Sequence, residues 1–164
     1  MENTKAIFLC HELVQIWQDY AKSHSDLLEL TIDEYHLLLN NQIDEIENKI
    51  QAKEKVIGEI KIFDEERKKI VQEICQLFPQ LDVKIKFATL VEFIEFQIDE
   101  NAGITLGKLN NILLELISQL QAQNKKNQIF LNKSLHSIAE IKKEFSGKKY
   151  SNYSAKGREY HGVK

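Results

Sequence analysis

The residues that could do chemistry are few and widely spaced. Asp33-x-x-His36 is one half of the paired motif that a di-iron helical bundle requires, and the second half is missing. Cys10 and Cys75 stand alone, without the CxxC spacing of zinc or redox sites. The spacing therefore predicts no metal, no cofactor, and two buried thiols of a reducing compartment. The sequence also predicts no metal site at the histidines, which are His11, His24, His36, His136 and His161.

Sequence signatures of catalysis are also missing. The chain has no Gly-rich phosphate loop, no HExxH and no GxSxG, and a His-x-Leu-Lys-Gly sequence that would support a phosphotransfer domain is not found. These observations predict a protein that is not an enzyme. No run approaches a signal-peptide core or the roughly 20 apolar residues that span a bilayer, so we expect a cytoplasmic protein.

Long amphipathic helices must carry the function instead. With one Pro and six Gly, the chain has long stretches without a backbone breaker. Apolar residues recur every three or four positions over residues 7–38, 43–77 and 106–145. Asn40-Asn41 predicts a turn after the first helix, and Pro79 closes the second. Each helix is roughly 35–40 residues, or about 50–60 Å, long.

A narrow apolar stripe on such a helix needs neighbours of similar length. The short Asn-Asn turn makes the first two helices antiparallel, and the longer connection lets the third return alongside them. The fold class is therefore all-α, an elongated antiparallel bundle of three long, coiled-coil-like helices. The bundle should occupy residues 1–145. A second copy could complete it, and the third helix could pack in its own chain or swap into another.

The connection over residues 80–104 is the least regular part of the bundle. Apolar and polar residues alternate from Leu81 to Phe87, but a lone strand has nothing to pair with, so we predict an extended cover. A capping box at Thr89 predicts a short helix that ends near Ile98, followed by a turn over residues 99–103. The short helix would form a small apolar lid of Leu90, Phe93, Ile94 and Phe96.

Polar residues interrupt the apolar stripes at mid-helix positions. They are Lys53, Asp64 and Arg67 on the second helix and Asn124 and Asn127 on the third. One interpretation is control of helix register, because a buried polar group disfavours slipped pairings. The other is a seam that opens or exchanges partners.

The character of the chain changes after Phe145. Residues 142–164 contain seven Lys/Arg against two Asp/Glu, whereas residues 1–141 contain fifteen against twenty-three. We predict that residues 146–164 form a flexible, basic C-terminal tail, disordered in the free protein. Its interleaved Lys and Tyr residues would also suit a nucleic-acid contact through phosphate binding and base stacking, or a segment that folds on a protein partner.

Three segments carry a resemblance to a known family. The first runs from residue 27 to residue 55 through Tyr35-His36-Leu37-Leu38-Leu39 to Lys53-Glu54-Lys55. The second is Asn124-x-x-Asn127-x-x-Phe130-Leu131, and the third is Tyr153-Ser154-Ala155-Lys156-Gly157. In these segments the chain resembles the FlgN-type flagellar export chaperones, with a helix-turn-helix, paired asparagines and a short Tyr-x-x-x-Gly signature.

The resemblance implies a cytoplasmic type III export chaperone. Such a protein binds hook-filament junction proteins, prevents their premature assembly and delivers them to the cytoplasmic domain of the export gate. It implies gate docking by Tyr153 and Gly157, and client binding toward the C-terminus. The client-binding residues would be Leu131, Leu135, Ile138, Ile141 and Phe145. These five could instead pack inside the bundle.

Other functions remain open from the sequence. A generic coiled-coil adaptor or scaffold would share the long stripes, and a nucleic-acid-binding helical protein would share the basic tail. We expect protein partners rather than nucleic acid, and no stable membrane insertion.

Overall fold

The computed structural model is all-α in the part of the chain that it describes, which is residues 2–82 and 84–158. Side chains are described for residues 3–82 and 84–146. No strand is present in this part, so the all-α prediction is confirmed. The helices are α1 (Glu2–Leu39), α2 (Ile43–Leu77), α3 (Phe87–Gln97) and α4 (Glu100–Arg158).

The turn between α1 and α2 lies where the sequence predicts it. Asn41 adopts a left-handed conformation with φ 55°, which Asn tolerates better than most residues. Ion pairs then show that the two helices are antiparallel. Lys49 of α2 binds Asp33 near the turn, with the Lys49 Nζ and Asp33 Oδ2 atoms 2.6 Å apart. Lys5 binds Glu73 near the other end, at 3.5 Å.

The chain divides into two compact units, Met1–Asn124 and Lys125–Lys164. In the first unit, all four helices contribute to one hydrophobic core. At its centre the ring of Trp17 stacks on Phe87 with 4.1 Å between centroids, and the guanidinium of Arg67 lies 5.7 Å from the Trp17 ring. The core consists of Leu9, Cys10, Leu13, Trp17, Ile70, Ile74, Leu90, Val91, Ile94, Ala102, Leu106 and Leu113.

The connection between α2 and α3 covers this core, as predicted, but it is not extended. Its backbone turns, because the N–H groups of Leu81 and Ile85 donate to the carbonyls of Phe78 and Asp82. Leu81 and Ile85 pack against the core, without strand pairing in the described residues. The predicted start of α3 at Thr89 is wrong, because α3 begins at Phe87 and Thr89 lies inside the helix. The stack of Phe87 on Trp17 accounts for the earlier start, since it fixes the first residue of the helix on the core.

The predicted turn over residues 99–103 is also wrong, because α4 begins at Glu100. The Asp99 side chain accepts a hydrogen bond from the backbone N–H of Ala102 at 3.0 Å. A carboxylate in this position satisfies one of the free N–H groups at the start of a helix. Asp99 therefore starts α4 where a longer turn was expected.

The short helix α3 is part of the core rather than a lid. Leu90 and Ile94 are 1% and 0% exposed, whereas Phe96 is 75% exposed and covers nothing. Two glycines of α4 explain how closely α3 approaches. A Cβ atom at Gly103 would overlap the backbone of Glu95, and one at Gly107 would meet a Val91 methyl group at 3.6 Å.

The second unit contains the remainder of α4. The sequence predicts that this helix ends at Phe145, but α4 continues to Arg158. The sequence predicts a flexible tail over residues 146–164. The side chains beyond residue 146 and all of residues 159–164 lie outside the description, so the tail stays a prediction.

Candidate functional site

The predicted client-binding residues form an apolar stripe on α4. They recur every three or four residues, so they lie on one side of the helix. Leu131 is partly buried, while Leu135, Ile138, Ile141 and Phe145 are 63%, 50%, 53% and 70% exposed. We call these five residues the α4 stripe.

Four exposed apolar side chains on one face of a helix form a patch rather than isolated exposed residues. Single exposed apolar residues are common on protein surfaces, but a contiguous patch marks an interaction site. An amphipathic helix from a partner could cover such a stripe by packing its own apolar face against it. The α4 stripe therefore has the chemistry of a helix-binding surface.

Charged residues of both signs lie near the α4 stripe. Lys142 lies beside it, in a depression that it lines together with Ile141, Phe145 and Ser146. Glu140 follows the helical repeat onto the other side of α4, whereas Glu144 follows Ile141 by three residues and flanks the stripe. Glu140 there binds the Nε2 atom of His136 at 3.4 Å. The stripe is therefore bordered by a positive charge at Lys142 and a negative charge at Glu144.

The two asparagines that could control the helix register differ in exposure. Asn127 is 3% exposed, whereas Asn124 is exposed. A buried amide next to the stripe agrees with the register interpretation for Asn127 alone. The register role of both residues stays a prediction.

The polar residues on the α2 stripe form ion pairs. Lys53 binds Glu34 of α1, and Arg67 binds Asp64 at 2.7 Å within α2. Lys68 also binds Asp64, and these contacts hold the pKa of Asp64 below its ordinary value, chiefly through the hydrogen bond with Lys68. The partner Glu34 was not found from sequence, because its position relative to Lys53 depends on the α1–α2 packing.

A second exposed apolar row lies on α2, where the sequence predicts packed residues. Ile43, Ile50 and Ile57 are 72%, 45% and 38% exposed. The prediction is wrong because α2 packs through a neighbouring face, on which Ile70 and Ile74 are buried. Glu47 and Glu54 border the exposed row, and each follows an isoleucine of the row by four residues. This spacing was the signal in the sequence that could have indicated an exposed face. We call Ile43, Ile50 and Ile57 the α2 row.

The titratable residues that the structure describes are the remaining candidates for a metal site. No group of three or more His, Cys, Asp or Glu could hold a metal ion there. The buried His24 donates a hydrogen bond from its Nδ1 N–H to the Tyr20 carbonyl oxygen at 2.8 Å. Cys10 and Cys75 are free and buried, as predicted.

Two proposed gate-docking residues lie outside this description. Tyr153 and Gly157 fall within the helical bounds of α4, but nothing is described of their side chains. Their role stays a prediction.

Comparison with known proteins assigns the chain to a class of helical export chaperones. The FlgN protein family matches residues 1–161, which includes the central connection as well as the α4 stripe. The chain belongs to the FlgN family of flagellar export chaperones. No curated protein and no solved structure matches the chain.

Among the described residues, no helix combines the length and the apolar content of a membrane-spanning helix.

Proposed function

We propose that the chain is a cytoplasmic chaperone that binds hook-filament junction proteins, prevents their premature assembly and delivers them to the export gate. Membership of the FlgN family supports the export function. The observation that carries the client-binding part is the α4 stripe, in which four apolar side chains are at least half exposed.

The stripe has the dimensions of a helix-binding surface. From Leu131 to Phe145 it extends over about 21 Å of helix. Burying an exposed Leu, Ile or Phe side chain contributes about 1.5–3 kcal/mol, part of which is offset by ordering the partner. A client that presents an amphipathic terminal helix would gain from all four exposed residues at once. Covering that helix would also keep it from assembling with other client molecules.

Copurification tests the class of partner. The tagged chain, with and without residues 146–164, is recovered from flagellated cells that express it. Recovery of hook-filament junction proteins with both forms is the expected result. Recovery of RNA, or of neither RNA nor junction proteins, would contradict the proposal.

Delivery to the gate is assigned to Tyr153 and Gly157, which form the Tyr-x-x-x-Gly signature. Tyr153→Ala should lower secretion of the junction proteins while their cytoplasmic complex with the chaperone stays intact. Tyr150→Ala is the matched control, because it removes the same kind of side chain outside the signature. Unchanged secretion in Tyr153→Ala cells, with the complex still formed, would contradict a role of Tyr153 in docking.

A further inference from the structure

The α2 row and the α4 stripe match each other in spacing. Ile43, Ile50 and Ile57 are seven residues apart along α2. Leu131, Ile138 and Phe145 have the same separation along α4, in the other compact unit. A seven-residue apolar repeat is the pattern by which two helices pack side by side. Both rows therefore present the same kind of seam over the same length.

One pair of equivalent positions on the two rows carries opposite charges. On α2, Glu47 and Glu54 follow the first two isoleucines of the row by four residues and Lys61 follows the third, and all three are exposed. On α4, Lys142 follows Ile138 by four residues and is also exposed. In an antiparallel pair centred on Ile50 and Ile138, Glu47 meets Lys142. Charges in such flanking positions select the partner and its orientation.

The charge of the two units agrees with this complementarity. Residues 1–124 contain twelve Lys/Arg against twenty-two Asp/Glu, whereas residues 125–164 contain ten against three. The acidic unit of one molecule would therefore attract the basic unit of another.

We propose that two copies of this chain associate by antiparallel pairing of the α2 row of one copy with the α4 stripe of the other. Each copy carries both rows, so either copy can supply either helix of the pair. Pairing buries apolar residues that are exposed in the single chain. The association does not depend on the chaperone function. If the proposed function holds, the dimer covers the client surface, and a client helix competes with the second copy.

Sedimentation of the full chain over a concentration series tests the association. Ile50→Glu should weaken dimerisation about tenfold or more, because it places a charge in the middle of the seam. Ile62→Glu is the matched control, since Ile62 is 58% exposed on another face of α2. Equal effects of the two variants, or a wild-type chain that is monomeric at about 100 µM, would overturn the proposal.

A charge exchange tests the register. Glu47→Lys and Lys142→Glu should each weaken the dimer, and the double variant E47K/K142E should restore it. E47K/K143E has the same net charge, but Lys143 lies on another side of α4, so it should not restore dimerisation. Restoration by both double variants, or by neither, would contradict the pairing.

Cross-linking then identifies which rows meet. One tagged copy carries E47C and a second, differently tagged copy carries K142C, so a disulfide between the tags joins two molecules. The native thiols are buried and should not compete. A cross-linked heterodimer is the expected result, and its absence under oxidising conditions would refute the pairing. Ile50→Glu leaves the α4 stripe unchanged, so client binding should persist in it; loss of client binding alone would count against the proposed function only.

Discussion

Lys53 of α2 donates a hydrogen bond to Glu34 of α1, and the two side chains are only 17% and 13% exposed. The neighbouring pair of Lys49 and Asp33 is more hydrated, at 34% and 42%. Both pairs join the same two antiparallel helices. Their difference in exposure separates the effect of burial from that of pairing.

We expect Glu34→Gln to lower the free energy of unfolding by about 1–3 kcal/mol, because it leaves a poorly hydrated ammonium without a full partner. Asp33→Asn should lower it by less than about 1 kcal/mol. The double variant E34L/K53M should recover most of the first loss, since the unpaired charge is gone. Urea denaturation measures all three, and equal losses for Glu34→Gln and Asp33→Asn would contradict this reading.

The glycines of α4 provide a matched pair for packing. Gly103→Ala should lower the free energy of unfolding by about 1–3 kcal/mol, because the new methyl group overlaps the backbone of Glu95 and forces α3 away. Gly107→Ala should be neutral or stabilise by up to about 1 kcal/mol, since the methyl group fits and Ala favours a helix. Thermal and urea unfolding test the difference. A Gly103→Ala variant as stable as Gly107→Ala would show that the α3–α4 contact is looser than described.

Asp99 should make stability depend on pH in acid. The backbone N–H of Ala102, and then His11, hold the pKa of Asp99 below its ordinary value of 3.8. Because the folded pKa is lowered, Asp99 stabilises the fold above its unfolded pKa, and this contribution is lost as the pH falls through the folded pKa. The stability advantage of the wild type over Asp99→Asn should therefore be largest above pH 3.8 and shrink below it. A difference that stays constant from neutral pH to about pH 2 would contradict the linkage.

The cysteines should report global unfolding. Burial raises the pKa of the Cys10 thiol to about 12, and burial also raises that of Cys75. Since the thiolate is the reactive form, both residues should resist a thiol reagent in the folded protein and react in denaturant. The labelling rate should follow the unfolding transition in urea. Rapid labelling of either cysteine without denaturant would show local opening of that helix.

Local signals in the sequence predicted the first half of the fold well. Asn40-Asn41 and Phe78-Pro79 mark the ends of α1 and α2, because a left-handed residue and a proline act through their own backbone. The position of the α4 stripe also follows from helical spacing, and the buried thiols follow from the isolation of the two cysteines in the sequence.

Contacts between distant segments were not predictable in the same way. The Gly103 approach to Glu95 and the stack of Phe87 on Trp17 depend on how α3 packs, and they moved the starts of α3 and α4. Periodicity also assigned Ile50 to a packed stripe, although it is 45% exposed. A helical repeat shows that a row exists, but it does not show whether a neighbour covers it.

The central claim is that the α4 stripe binds the client, and calorimetric titration with a purified hook-filament junction protein tests it most directly. Ile138→Glu should weaken binding about tenfold or more, because the charge lies within the stripe. Ile129→Glu is the control, since Ile129 is 46% exposed on the opposite side of α4. It should change the affinity by less than about twofold. Wild-type affinity in the Ile138→Glu variant, with the Ile129→Glu control unchanged, would contradict the claim.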